Sequence, residues 1–451
     1  MTVHAPAVLP DEVSRDPHAE SWLVFADLTP GADVRSWLQQ VATPAVNALV
    51  SAQDPIGIAA SCTVGFGSTV FDRAGTGAQR PLGLAATLPS PVPTEVHDVV
   101  FYVFALSDAV VATFLRSLNA GGGLDRLTIE RGYQRPDKRE VFGQLDGLRN
   151  ISPPDRASVA FVGDDQPEEP TWAIGGSYLA YLKIKQNVPA WTALSIDQQA
   201  QIIGRRADGS RLDLPAGTDP KTEPAFADPT TPATCAHVRK VGPRGPQQDT
   251  VRIFRRGTPF IECDPNGALV EGLQFVSYQA SIDDFLTILQ RWMLNPNFPT
   301  NRAGIDSLAS VVGLTTFLKG GLYFAVPQDD RFIGAGMFDP ADAATGGLVI
   351  HVTVLDTANT PDPAASLEGA VFQVSSADGT VLATLTSNAA GHAVSPTLPV
   401  GVALTVVETT APAGAQINPG PSSQQVTLER CEKAVMTFTN TRTGTTGGYG
   451  T

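Results

Sequence analysis

Two successive stretches of this chain run through the same order of apolar segments, and that repetition limits the fold more than any other feature. In the first stretch "SWLVFADL" (21–28) reads as a strand. Val34, Trp37, Leu38 and Val41 then recur at i, i+3, i+4 and i+7, one face of a helix. "CTVGFGSTVF" (62–71) and "DVVFYVFALS" (98–107) are apolar strands, Val111, Phe114, Leu115 and Leu118 mark a second helix, and "DRLTIERGY" (125–133) closes the unit. A Pro-rich acidic linker follows over 152–170, and the order begins again. "GSYLAYLKIKQ" (176–186) is a strand and "SIDQQAQIIGR" (195–205) a helix. After a polar loop (206–234) come the strands "TVRIFRR" and "GLQFVSYQA", then Phe285, Ile288, Leu289 and Trp292 on one helical face. Two β-α-β…β-α-β halves, 20–151 and 171–345, predict a duplicated ferredoxin-like α+β fold.

Beyond residue 345 the pattern changes. "GLVIHVTVLD", "GAVFQVSSADGTVLATLTS" and "AVMTFTNT" alternate apolar and polar residues between frequent turns, and no helical pattern interrupts them. A small all-β, immunoglobulin-like sandwich is expected over 346–443, followed by a flexible tail at 444–451. Residues 1–19 are read as a mobile N-terminus.

Composition narrows the function classes. Hydrophobic residues make up 42% and charged residues 17% of the 451, which describes a globular chain with a well-buried core. No apolar run reaches the ~18 residues a membrane-spanning helix needs. A net charge of −14 argues against nucleic acid and anionic membranes as partners. The N-terminus has no basic region followed by an apolar stretch, so the expected compartment is the cytoplasm, with export by another route left open. Cys62, Cys235, Cys263 and Cys431 form no C-x-x-C pair, which excludes a zinc ribbon, a thioredoxin motif and covalent haem attachment, and fits a reducing compartment.

Asp146-Gly147, in "FGQLDGLRN" (142–150), reads on its own as a surface turn. Its neighbours change that reading. "GQLDG" (143–147), "GGSYLAYLKIKQNVPAW", "HVRKVGPR" (237–244), "FRRGTPF" (254–260), "GLQFVSYQASIDDFLTILQRW" and "GIDSL…GGLYFAVP" occur in an order that resembles the dye-decolourising peroxidase family from about residue 20 to 345. The resemblance implies a dimeric α+β-barrel type of haem domain, a non-covalent haem b cofactor, and hydrogen peroxide and an organic donor (a dye or phenol) as substrates. Gln144 departs from it, because the family carries an aromatic residue there.

Of six histidines, His4 and His18 fall in the N-terminal stretch and His351 and His392 in the tail. His97 precedes an apolar strand and reads as a capping or surface residue; His237 is flanked by Arg239, Lys240 and Arg244, cations that either balance haem propionates or form a solvated face. The resemblance makes His237 the iron ligand. It makes Asp146 the acid–base group for peroxide and Arg255 the cation that stabilises the departing oxygen, with Arg256 on the opposite face of its strand. It puts Asp306 on the second nitrogen of His237, ahead of Asp283 and Asp284, and sets Arg239, Arg244, Gly147 and Asn150 around the haem.

Two other classes are compatible with the chain: a haem-binding, deferrochelatase-like protein without fast turnover, and a non-enzymatic interaction protein. Tyr178, Trp191, Trp292 and Tyr323 are candidate electron carriers that core packing explains equally well. The oligomeric state, including a homo-oligomer, is open. The tail's "LEGAVFQVSSADGTVLATLTSNAAG", "VVETTAP" and "FTNT" resemble prealbumin-like repeats of pilins and adhesins, which cross-link a first-strand lysine to a last-strand asparagine beside a buried glutamate. Glu408 and Asn440 match the acid and the acceptor, but Val354 stands near the lysine's place. The module's one lysine, Lys433, is expected to be exposed, and its one cysteine, Cys431, has no partner for a disulfide. A non-covalent sandwich that docks the enzyme to a protein assembly or surface is the expectation.

Overall fold

The structure, a computed structural model, describes residues 20–52, 60–163, 166, 168–221, 232–242, 250–310, 313–338, 345–356, 358–396, 398–418, 422–428 and 433–443. Two compact units emerge. The first comprises residues up to 75, 83–163 and 173–336; the second comprises 76–82, 164–172 and 337 onward. His4, His18, Arg244 and Cys431 lie outside the described residues.

The first half of the larger unit contains β1 (Glu20–Leu28), β2 (Ser61–Phe66), β3 (Val99–Ala105) and β4 (Leu124–Tyr133), hydrogen-bonded in the order β4-β1-β3-β2. The second half contains β5 (Ser177–Gln186), β6 (Phe254–Arg255), β7 (Thr258–Cys263), β8 (Leu269–Gln279) and β9 (Thr315–Ala325), in the order β9-β5-β8-β6 with β7 also on β8. The two orders correspond strand for strand, and every pairing is antiparallel, so the expected duplicated ferredoxin-like fold is present. β2 pairs with β9 and joins the halves into one nine-stranded sheet. At the other side, Ser21 Oγ lies 2.8 Å from Thr258 Oγ1, so the outer strands meet as in a closing barrel. Gly132 permits that approach: a Cβ there would sit 2.1 Å from Thr258 Oγ1.

Continuous apolar runs such as "VVFYVFA" follow from this architecture, because both faces of β1 and β3 are covered. Leu23, Phe25, Tyr102, Phe104, Tyr181, Phe254 and Tyr323 form the inner cluster. On the outer face, Phe101 meets Trp37 and Phe114 at 6.5 and 5.4 Å between ring centres. Those rings belong to α1 (Val34–Trp37, running through a π-turn Leu38–Ala42 into Thr43–Ser51) and α2 (Asp108–Ala120). In the second half α3 (Ile196–Ile203) starts at a Ser195/Gln198 capping box and ends at Gly204 in the left-handed region, φ 88°.

Three expectations need correction. The stretch 62–71 is a strand only to Phe66; Gly67 then caps the helical segment Ser68–Ala74. "TVRIFRR" pairs only through Phe254 and Arg255. Within the stretch read as a linker, Arg156–Ala160 is helical, and Arg156 lies over the Phe254 ring at 4.9 Å.

The smaller unit is the predicted sandwich. One sheet contains β10 (Thr345–Leu355), β13 (His392–Val394), β14 (Leu398–Pro399), β16 (Ala415–Ile417) and β18 (Lys433–Arg442). The other contains β11 (Val371–Ser376), β12 (Val381–Thr386), β15 (Ala403–Thr410) and β17 (Ser423–Thr427). Leu348, Ile350, Val352, Phe372, Val374, Leu404, Val406 and Phe438 fill the space between them. The first and last strands, β10 and β18, run parallel.

Candidate functional site

The turn around Asp146 and Gly147 is a braced structure. Gly143 and Gly147 hold φ of 80° and 78°, values that favour residues without a Cβ. The Glu140 carboxylate sits inside the loop and accepts the backbone N–H groups of Phe142 and Gln144, each at 2.9 Å, and Gln186 Nε2 at 2.7 Å. Burial pushes the Glu140 pKa up to about 7, against those hydrogen bonds, which lower it; the nearby Asp146 charge adds to the rise. Trp191 stacks on Phe142 at 4.5 Å and donates Nε1–H to its carbonyl at 2.9 Å. Asp146 emerges from this frame 48% exposed, with Oδ1 accepting the Gly147 N–H at 2.6 Å.

Arg255 arrives from β6. Asn150 clamps its backbone at both ends, accepting the Arg255 N–H at 3.0 Å and donating Nδ2–H to the Arg255 carbonyl at 2.7 Å. This fixes where the guanidinium starts, and its Nη2 lies 3.9 Å from Asp146 Oδ1. That separation is an ion pair, too long for a hydrogen bond. Arg256 takes the other face of the strand, as alternation predicts, and lies over Phe104 and Phe254 at 5.1 and 5.8 Å.

His237 begins α4 (His237–Lys240). Its Nδ1 lies 2.7 Å from Oδ2 of Asp306, which is fully buried. Asp306 is itself held: Oδ1 accepts the Leu308 N–H at 2.9 Å, and its own N–H donates to Met293 at 2.8 Å. A buried carboxylate at that distance accepts a hydrogen bond from Nδ1–H and so holds the ring proton on Nδ1, which leaves the Nε2 lone pair free. Burial is the largest influence on the His237 pKa and pulls it down; Asp306 more than offsets it, so the net shift is upward. Arg255 and Asp146 also act on this ring, the first lowering and the second raising its pKa. Arg255 and Asp146, 3.9 Å apart, are thus close enough to His237 for their charges to act on it, and His237 remains 30% accessible.

With this geometry in hand, the family described as Dyp-type peroxidase, C-terminal matches residues 137–330, and a prealbumin-like fold domain matches residues 359–442. Residues 137–330 of this chain are thus similar to the C-terminal part of a Dyp-type peroxidase. It is 29% identical over 242 residues to Peroxidase 2 of Mycetinis scorodonius, covering 40% of this chain and 48% of that protein. It is 29% identical over 212 residues to the deferrochelatase of Escherichia coli K12, covering 45% of each. The chain thus spans about half the length of the curated relatives it matches. Among solved structures it is similar to a DypB variant of Rhodococcus jostii RHA1 in complex with heme, with a TM-score of 0.58 at 22% identity, covering 74% of this chain and all of that one.

Other residues singled out in the sequence stand differently. Arg239 and Lys240 are not a solvated face: both are buried. Lys240 donates to the carbonyls of Asn295 and Gly304 at 2.7 and 2.8 Å and to that of Phe298, and Arg239 Nη1 to Pro232 at 2.8 Å. Lys240 is thereby committed to a loop, not to an anionic ligand. His97 is no surface cap. It is 2% exposed, with Nδ1 3.1 Å from both carboxylate oxygens of Asp27 and its ring 4.8 Å from Phe25. Asp284, a weaker proximal candidate, makes no contact with His237 among the described residues; burial, with Asp283 beside it, pushes its pKa up to about 7. The Gln144 side chain is buried, as are Tyr178, Trp191, Trp292 and Tyr323. Glu140 escaped the sequence reading altogether.

In the sandwich, Asn440 donates Nδ2–H to Glu408 Oε1 at 2.8 Å, and both side chains are buried. Val354 is the register partner of Asn440 across the parallel β10–β18 pair. Lys433 is half-buried, not exposed as expected, and donates Nζ–H to the Glu169 carbonyl at 3.0 Å.

Proposed function

We propose that the larger unit is a non-covalent haem b peroxidase that reduces hydrogen peroxide with electrons from a dye, phenol or other organic donor. The observation that carries this reading is the set of charged groups around the accessible His237: Asp306 backs its Nδ1 at 2.7 Å, and Arg255 and Asp146, 3.9 Å from each other, both act on its charge. His237 fits an iron ligand because Nε2 has no hydrogen-bond partner among the described residues while Nδ1 is fixed. Bound haem supplies an iron that takes peroxide and a macrocycle through which donor electrons pass.

The protein's own groups then have distinct tasks. Asp146 accepts the peroxide proton and returns it to the far oxygen, which leaves as water. Its Oδ1 is engaged by the Gly147 N–H, so Oδ2 is the free atom for that transfer. Arg255 lies too far from Asp146 to spend its donors there, and they remain available to the negative charge on the departing oxygen. Asp306 keeps the His237 proton on Nδ1 and its ring in one orientation. Gly147 and Asn150 act by shaping the turn and the Arg255 backbone. Each turnover takes one peroxide, two protons and two electrons to two waters.

The test is reconstitution with haem: a Soret band and peroxide-dependent dye oxidation are expected, and absence of either refutes the reading. A second reading, porphyrin handling without fast turnover, is favoured by equal identity to a deferrochelatase. Release of iron from bound haem without peroxide, together with negligible dye oxidation, would select it.

We further propose that the sandwich docks the enzyme to a protein assembly or surface in a reducing compartment. Cys235 and Cys263 are free thiols among the described residues, and no described helix is long and apolar enough to cross a membrane. A chain ending near residue 345 should keep turnover and lose attachment; unchanged attachment refutes docking.

A further inference from the structure

The smaller unit brings together three metal-ligand side chains that the peroxidase reading leaves unused. His351 on β10 and His392 on β13 are direct register partners, and their rings stack at 4.6 Å with planes 26° apart. Glu168 joins them from 164–172, the segment that belongs to the same unit. One ligand-type atom from each of the three lies within 4.8 Å of the other two. This segment is pinned locally: Lys433 donates to the Glu169 carbonyl at 3.0 Å, the Leu82 N–H donates to Glu169 Oε2 at 3.1 Å, and Trp172 Nε1–H donates to the Gln79 carbonyl at 2.8 Å.

The polar atoms of the cluster are what point to a ligand. His351 Nε2, His392 Nδ1 and Glu168 Oε2 are all buried, and none has a hydrogen-bond partner. Buried polar atoms are nearly always satisfied, so three orphans in one cluster are unusual. Two imidazoles face to face do not satisfy each other in this stacked arrangement, and Glu168 donates nothing to either while ionised. A divalent cation would satisfy all three at once.

We propose that Glu168, His351 and His392 form a binding site for a first-row divalent transition metal, with Zn²⁺ the best match. Two imidazoles and one carboxylate are a borderline donor set that suits zinc and leaves a fourth position for water. Tetrahedral bonds of about 2.1 Å require ligand atoms about 3.4 Å apart. The present spread of up to 4.8 Å has to close by about 1.4 Å to reach that geometry. The ion would tie the 164–172 segment to the sandwich and stabilise the unit in which both reside.

The experiment uses the full-length, untagged, haem-loaded chain, stripped with a chelator and dialysed against micromolar Zn²⁺. Metal is counted by mass spectrometry, and haem separately by its Soret band. One zinc per chain is expected, and added Zn²⁺ should raise the unfolding temperature of the unit. A His351→Ala/His392→Ala variant should bind none while keeping an unchanged Soret band. Because changes on two strands can disturb the sandwich, Glu168→Gln is the decisive variant. It lies outside the strands and should weaken zinc binding ~10-fold or more. No zinc on the native chain, full stoichiometry in the double variant, or native affinity in Glu168→Gln each overturns the site.

Discussion

Two buried carboxylates in this molecule sit against a nitrogen-bearing side chain at nearly the same distance, with opposite chemical prospects. Asp306 meets His237 at 2.7 Å, and Glu408 meets Asn440 at 2.8 Å. Around the first pair lie the other groups of the proposed reaction centre: the charges of Arg255 and Asp146 act on the His237 ring. Around the second pair the corresponding group is missing, because the residue opposite Asn440 is Val354, which offers no nucleophile. Burial raises the Glu408 pKa and the Asn440 bond lowers it, with burial prevailing. Asn440 Oδ1 is buried without a partner. A hydrogen-bonded buried acid thus marks a place where chemistry can be supported. Whether it occurs depends on the third group.

Removing or adding that third group breaks the comparison from either side. His237→Ala should abolish stable haem binding and all peroxide turnover; an unchanged Soret spectrum would take His237 off the iron. Val354→Lys should do the reverse in the sandwich. A lysine amine placed in register with Asn440 can attack its side-chain carbonyl, with Glu408 carrying protons, so that an amide forms and one ammonia leaves. The bond would close a loop of about 85 residues and stabilise the unit by ~4 kcal/mol, by analogy with other cross-links. Intact-mass spectrometry checks this: no loss of ammonia means that the Glu408–Asn440 pair cannot support the reaction.

Within the proposed peroxidase site the expected effects are graded. Arg255→Leu and Asp146→Ala should each keep the Soret band and slow the reaction with peroxide by ~10²-fold or more. If neither slows it in stopped-flow traces, the distal roles are wrong. Asp306→Asn should weaken haem binding ~10- to 100-fold, because an amide cannot hold the Nδ1 proton as a carboxylate does. Equal haem affinity in a Soret titration would make Asp306 structural only.

What the sequence revealed follows the range over which each signal acts. Strands β1, β3 and β5 were legible because covering both sheet faces writes an unbroken apolar run. The strand–helix break at Gly67 was hidden, since Val70 and Phe71 are as buried as the strand before them. His237, Asp306, Arg255 and Asp146 were legible only through the family resemblance; nothing in local spacing brings residues 237 and 306 together. His97 was misread because its partner Asp27 lies on β1, 70 residues earlier in the chain. Arg239 and Lys240 were misread because the carbonyls that hold them come from 232 and 295–304. Glu140 carries no signal of its own, because its role arises from the turn that folds back over it.

That residue supplies the smallest predicted effect. A carboxyl whose folded pKa is raised to about 7 binds more protons folded than unfolded above its ordinary value of 4.5. Stability is therefore unaffected below 4.5, falls as pH rises from 4.5 to 7, and levels off beyond. Between pH 6 and 8 the Glu140 share of that fall is about 1 kcal/mol. Asp284, also raised to about 7, adds a second fall of the same sign. Glu140→Gln removes one of the two, so the variant's stability should vary less with pH than the native protein's over that range. The amide still accepts one backbone N–H of the turn but cannot accept both, which sets a constant loss at every pH. Urea unfolding at pH 6 and pH 8 separates the slope from the constant. A variant with the native pH dependence would mean that Glu140 does not titrate there, and that the brace beneath Asp146 is held by hydrogen bonds to an ordinary carboxylate.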